Sequence, residues 1–392
     1  MIRTEAEITP EVLAWARKSI GLKPEDAAKR LKVPKDKIEG WERGMGRPSI
    51  PQAEKLAALY KRPLAVFYMP ERPKEPAPPS DFRTLPDHHD AELSPTSRLA
   101  IRKAQRLQRI AAELARDLGT ARQVWLPRVS LVSGPEDAAS RVRGDLGISV
   151  EAQMGWTDER DALNQWRRTL ERLGVLVFQL DFPVEEMRGF SLPSPTTPAV
   201  ALSVHDRPAP RSFSMFHEFA HLAARAIVLC DMGWRSTGPA PAPIIKTEMF
   251  CNHFAGALLV PREDLLAQVS ATGVGAASDS DWPDERLREL AGKFKVSREV
   301  ILRRLLTLGL TTRAYYERKH REWAAEKPAK RGKKSFKKSP ARASLSERGA
   351  PLVSMLFESY SQGNITFADL TDYLGVRGKQ VEKVVELAAR IA

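Results

Sequence analysis

The segment Ser212–Cys230, SFSMFHEFAHLAARAIVLC, carries His217, Glu218 and His221 inside an otherwise apolar run. Apolar runs of this kind are buried, so the fold must find a use for three polar groups in its interior. Residues four apart lie on one helical face, one turn above the other, so the two imidazoles meet. Glu218 is rotated from them by roughly a quarter turn. Two readings follow. Either the histidines are core residues bonded to backbone, which leaves a buried carboxylate unexplained, or the H-E-x-x-H pattern binds a metal and Glu218 acts on water. A pattern this short recurs by chance in about one chain in twenty of this length, so the surroundings must supply a third ligand.

No histidine follows six residues after His221, which excludes that arrangement. The next helical run, KTEMFCNHFAGALLVP, offers Glu248 at its start and Asn252 one turn further on the same face. Glu248 is the preferred third ligand and Asn252 a group that orients a ligand from behind. His253 is the alternative ligand, but its position relative to Glu248 points it to another face. Cys230 and Cys251 read as inert core residues, and a redox role near the site is the competing reading.

Length and composition narrow the setting. The chain has 392 residues, enough for two or three domains, with 42% hydrophobic and 28% charged residues, a globular balance. Its longest apolar stretches are too short to span a bilayer, and acidic residues near the start argue against a secretory signal. Two cysteines make no disulfide framework, so a cytoplasmic location is expected, without a membrane. The net charge of +13 favours a polyanionic partner. Much of that excess lies in KPAKRGKKSFKKSPAR, Lys327–Arg342, which reads as a flexible basic linker.

The first part of the chain reads as short helices. TPEVLAWARKSI begins with a Thr cap and a proline at the first helical position, and Gly21 ends it. KPEDAAKRLKV and PKDKIEGWERG follow with a tight turn between them, then SIPQAEKLAALYK and PLAVFYM. The stretch from Gly21 to Leu64 resembles the N-terminal domain of XRE-type, lambda-repressor-like regulators. The resemblance implies a helix-turn-helix whose recognition helix runs from Lys35 to Arg43, with Lys35, Lys37, Arg43 and Arg47 as candidate DNA contacts. Asp36, Glu39 and Glu42 oppose a DNA backbone, so docking of a protein on the same fold is the competing reading.

Beyond a proline-rich linker, an amphipathic helix is expected from about Ser97 to Leu118; its basic face, Arg98, Arg102, Arg106 and Arg109, reads as solvated. Helices then precede three strand candidates, Val175–Leu180, GFSL and Ala199–Val204. The fold class expected is α+β and mostly helical: an N-terminal helix-turn-helix domain (1–75), a linker and long helix (76–120), a central zincin-like domain with a small sheet (121–315), a basic linker (316–345), and a C-terminal helical, helix-turn-helix-like segment (346–392).

Arg211, Phe213, Ser214, His217, Glu218 and His221, followed by Glu248, Cys251, Asn252, Phe254, Ala255, Leu258 and Pro261, resemble the paired helix motifs of the ImmA/IrrE metallopeptidases. DFRTL, RGFSL and LCD recur in members with an XRE domain in front. The resemblance implies that His217, His221 and Glu248 hold Zn2+, that Mn2+ can occupy similar nitrogen–oxygen ligands, and that Glu218 is the general base. It further implies a regulatory zinc endopeptidase that cleaves a helix-turn-helix repressor, with DNA contacts through the N-terminal domain and basic linker. The reading from another class is a DNA-binding regulator or antitoxin-like protein whose zincin domain serves sensing or partner binding.

Overall fold

The computed structural model describes residues 4–74, 93–127, 129, 134–224, 242–271, 281–326 and 339–390. DFRTL, Cys230 and LCD lie outside them. The described residues are mostly helical with one small sheet, the α+β layout expected.

The N-terminal unit contains α1 (Pro10–Ser19), α2 (Pro24–Leu31), α3 (Lys35–Glu42), α4 (Ile50–Tyr60) and a 3₁₀ turn, Leu64–Tyr68. Pro10 opens α1 as expected, but the Thr9 hydroxyl donates to Met69 O at 2.7 Å instead of capping the helix. Val12, Leu13, Ile38, Trp41, Leu56 and Phe67 fill its own apolar core. Then comes α5 (Pro95–Asp117), capped by Ser94.

Two of the arginines on the basic face of α5 are not solvated. Arg102 donates to Lys61 O at 2.8 Å and Tyr60 O at 3.3 Å, at the exposed-carbonyl end of α4. Arg98 lies against Gly21, where a Cβ would come within 2.7 Å of its Nε. Helix C-termini present carbonyls without intrahelical partners and a partial negative charge, so the end of α4 attracts the Arg102 guanidinium, whereas Arg98 Nε donates to Leu93 O at 3.0 Å. Lys103 and Arg106 pair with Glu347 and Asp372 of the C-terminal helices at 2.7 and 2.6 Å.

The central part brings α6 (Pro135–Leu146), α7 (Val150–Met154) and α8 (Glu159–Arg172), then β1 (Leu176–Leu180), β2 (Gly189–Leu192) and β3 (Ala199–Ser203). The strand order is β1-β3-β2, with β1 parallel and β2 antiparallel to β3. Both faces of the sheet are buried, which is why its strands read as continuous apolar runs. Val177, Val200 and Leu202 face one core, shared with α6, α8 and the helices that follow. Leu176, Phe178, Phe190 and Ala201 face another, shared with α5. After the sheet come α9 (Pro208–Ala223), α10 (Ala242–Leu259), α11 (Arg262–Ser270), α12 (Asp284–Phe294), α13 (Arg298–Thr307) and α14 (Arg313–Ala325).

Two helices correct the expected basic linker over 316–345. Most of α14 falls inside it, because Tyr315 is buried and Trp323 lies 4.8 Å under the Arg298 guanidinium. The second, α15 (Pro340–Arg348), buries Ala341, Leu345 and Arg348. With α16 (Ala350–Ser361), α17 (Phe367–Leu374), a 3₁₀ turn at Gly378–Gln380 and α18 (Val381–Ala389), it covers the second face of the sheet. The C-terminal helices therefore share their core with the sheet and α5.

Candidate metal centre

Helix α9 is buried on every side from Ser212 to Leu222. It lies between the sheet and a layer of aromatic side chains. Trp166 of α8 meets Phe216 edge-on at 5.0 Å, and Phe254 of α10 stacks on Phe219 at 6.5 Å. A helix enclosed this way tolerates polar groups only where they meet partners. His217 and Glu218 are 0% and 1% exposed, and His221 is 7% exposed.

The histidines meet each other and a residue of the next helix. Their Nε2 atoms are 3.1 Å apart. Glu248 Oε2 lies 3.2 Å from His217 Nε2, and Glu248 Oε1 lies 3.1 Å from His221 Nε2. These three form a group that could hold a metal ion, with all ligand atoms within 4.8 Å of one another. Two imidazoles and a carboxylate are a donor set suited to a borderline cation such as zinc, with a position left for water. Burial pushes the Glu248 carboxyl up, but its hydrogen bonds to His217 and His221 outweigh that and hold it below the ordinary value.

Glu218 packs against the sheet through its side-chain stem. A Cβ built at Gly189 of β2 would come 3.3 Å from Glu218 Cγ and 3.0 Å from Ala201 O. Only a glycine lets the edge strand approach the carboxylate so closely. Nothing in RGFSL marked that contact from sequence, since it joins residues far apart in the chain.

The position of Glu248 depends on how α10 is anchored at its other end. Three buried side chains take its last carbonyls. Arg143 Nη1 donates to Leu258 O at 2.7 Å, Gln153 Nε2 to Leu259 O at 2.9 Å, and Arg304 Nε to Val260 O at 2.9 Å. Arg304 reaches across α10 at Gly256, where a Cβ would lie 3.1 Å from its Cδ. It also binds Glu136 at 2.5 Å. His253 Nε2 lies 2.6 Å from the same carboxylate, so the alternative ligand is occupied away from the cluster. Asn252 is half-buried one turn after Glu248. Cys251 is buried, and burial pushes its thiol up.

The four candidate DNA contacts are exposed, and three of them face acids. Lys35 Nζ lies 2.6 Å from Glu25 and 3.4 Å from Glu39. Arg43 is 3.3 Å from Glu39 and Arg47 is 2.9 Å from Glu7. Lys37 sits over the Trp41 ring at 5.9 Å. Glu42 is bound to Arg17 at 2.6 Å and takes no part in the outer face.

Comparison with known families agrees with this organisation. Residues 170–306 match the Peptidase_M78 family, described as the IrrE N-terminal-like domain. Residues 13–67 match the HTH_3 helix-turn-helix family. In this order the two make the ImmA/IrrE architecture with an XRE-type domain in front. No curated protein matches the chain. Among the described residues no helix is long and apolar enough to cross a membrane.

Proposed function

We propose that the chain is a regulatory, metal-dependent endopeptidase of the cytoplasm, with His217, His221 and Glu248 as metal ligands and Glu218 as the general base. The observation that carries this reading is the approach of both Glu248 oxygens to the two Nε2 atoms, with Glu218 buried beside His217. A structural metal site has no need of Glu218. Zinc is the ion the donor set favours, and manganese accepts the same ligands. When bound, the ion supplies Lewis acidity toward water and the scissile carbonyl.

The chain's own residues do the rest. Glu218 accepts the proton of the attacking water and returns it to the leaving amine, so no proton is left over after cleavage. Asn252 orients the metal-binding carboxylate from behind. β2 is an edge strand, and Gly189 brings it against Glu218. An extended peptide that pairs with this edge runs past the carboxylate, with its backbone held and its side chains alternating. The substrate class proposed is a helix-turn-helix repressor, and the N-terminal domain serves to reach it.

The test pairs wild type with Glu218→Gln. Both are assayed for bound metal and for cleavage of the helix-turn-helix proteins encoded beside the gene. One metal per chain in both, with cleavage by wild type alone, is expected. Turnover retained by Glu218→Gln would remove the assigned base, and absence of metal from wild type would remove the site.

A further inference from the structure

Many helices of the described residues end in the same turn, and after α2, α12 and α17 it places a valine ahead of a second helix. After α2, Lys32 takes a left-handed conformation (φ 57°) and Val33 N donates to Ala28 O at 3.0 Å. After α12, Lys295 (φ 55°) precedes Val296, whose N donates to Ala291 O at 3.0 Å. After α17, Gly375 (φ 62°) precedes Val376, whose N donates to Thr371 O at 3.2 Å. Each is the helix C-cap in which a left-handed residue turns the chain out and the next N–H reaches back five residues. Five residues after each valine lies a buried anchor of the second helix: Ile38, Ile301 and Val381. Helices α2 and α3 pack on each other, as do α12 and α13, and α17–α18 shares with these pairs the turn, the valine and the buried anchor of a helix-turn-helix.

A unit lies on DNA only if its second helix offers cations to phosphates. On α3, Lys35 and Arg43 are held by Glu25 and Glu39, and Asp36 is exposed between them. On α13, Arg298 binds Asp284 and Glu326, Arg303 binds Glu299 and Tyr316, and Arg304 is buried on Glu136. That helix is spent inside the fold.

The third unit differs. Val381, Val384 and Ala388 turn α18 inward, which leaves Arg377, Lys379, Lys383 and Arg390 exposed on the other side. Arg377 and Lys379 stand where the second helix begins and make no ion pair among the described residues; Lys383 meets only Glu386, at 2.9 Å. Glu382 and Glu386 are the opposing charges on this face, against four cations. Asp372 on α17 is taken by Arg106.

We infer that α17–α18 is the unit that lies on duplex DNA, with Arg377 and Lys379 against phosphates. The inference does not rest on the peptidase reading. The test uses the full chain and a random-sequence duplex of about 30 bp, titrated with salt and followed by fluorescence anisotropy. Arg377→Gln/Lys379→Gln is expected to lower the salt slope by about 2 and weaken binding at least tenfold at about 0.1 M salt. Lys35→Gln/Lys37→Gln is expected to stay within about twofold of wild type. Arg377→Lys/Lys379→Arg, which keeps both charges, should bind as wild type. Unchanged thermal midpoints and metal content establish that the variants are folded. Loss of binding in the N-terminal pair, an unchanged slope in the C-terminal pair, or no duplex binding by wild type at low salt would each overturn the inference.

Discussion

Gly189→Ala probes the contact between the edge strand and the proposed base. The added Cβ would stand 3.0 Å from Ala201 O, 3.2 Å from Leu202 Cδ2 and 3.3 Å from Glu218 Cγ. Carbon atoms rest at about 3.5–4.0 Å, so each neighbour must give several tenths of an ångström. Ala201 belongs to the central strand, which is paired with β1 on one side and β2 on the other, so its backbone is held in place. Leu202 can rotate. Glu218 is the remaining group that can yield, and it moves away from β2.

Overpacking of this kind costs about 1–3 kcal/mol, offset in part by the lower unfolded-state entropy of alanine. A misplacement of about 1 Å at a catalytic group costs about a hundredfold, so a shift of half that predicts a loss near tenfold. The loss should appear in kcat under single turnover, with one metal per chain retained, because the three ligands are untouched. In a Glu218→Gln background the same substitution should cost nothing further, since the two act through one carboxylate. Full activity in Gly189→Ala, or a parallel loss of metal, would refute the reasoning.

Other perturbations test the scaffold around the site. Burial pushes the Glu136 carboxyl up, but hydrogen bonds from His253 and Arg304 outweigh it and bring it to about 2. A carboxyl depressed from 4.5 in this way contributes up to about 3 kcal/mol above pH 4.5, lost as pH falls toward 2. Glu136→Gln should therefore flatten the acid limb of a urea-unfolding series between those pH values. An acid limb identical to wild type would show that the triad adds no stability. Arg102→Ala removes two charged hydrogen bonds from the end of α4, worth about 1–3 kcal/mol. Amide exchange around Tyr60 should rise while that of α9 stays unchanged. Cys251, buried with its thiol pushed up, should resist alkylation in the native protein and react only after unfolding, as a mass shift would report.

The histidine pair was legible because its geometry is local: His217 and His221 are one helical turn apart. Glu248 stands on another helix, where the sequence left His253 as its alternative, and its approach to both Nε2 atoms appears only in the packed structure. The strands were legible as apolar runs, since a sheet covered on both faces leaves no polar alternation to confuse them. What covers the second face was not. The C-terminal helices follow a run of lysines, and only the packed structure reveals that Leu352, Val353 and Leu356 sit in one core with Phe178 and Phe190. Helix α14 hid in the basic composition of RAYYERKHREWAA, although Tyr315, Lys319 and Trp323 recur at helical spacing. The turn after α12 was also open to reading: FKVS repeats the LKVP of the first unit and the LGVR of the third.

Net charge overstates what the surface offers a polyanion, and the structure gives the reason. Five arginines are spent on carbonyls at or just beyond helix ends: Arg17 on Leu22 O, Arg102 on Lys61 O, Arg143 on Leu258 O, Arg304 on Val260 O and Arg348 on Tyr373 O. A guanidinium suits that task because its fork satisfies orphan carbonyls and its charge opposes the helix dipole. Such cations count toward +13 yet present little or nothing to a polyanion. The charge available to a partner is what remains after these internal uses, and it must be sought residue by residue. On that count the recognition helix of the N-terminal domain, whose Lys35 and Arg43 face Glu25 and Glu39, offers less than the shorter run Arg377–Lys383 at the other end of the chain.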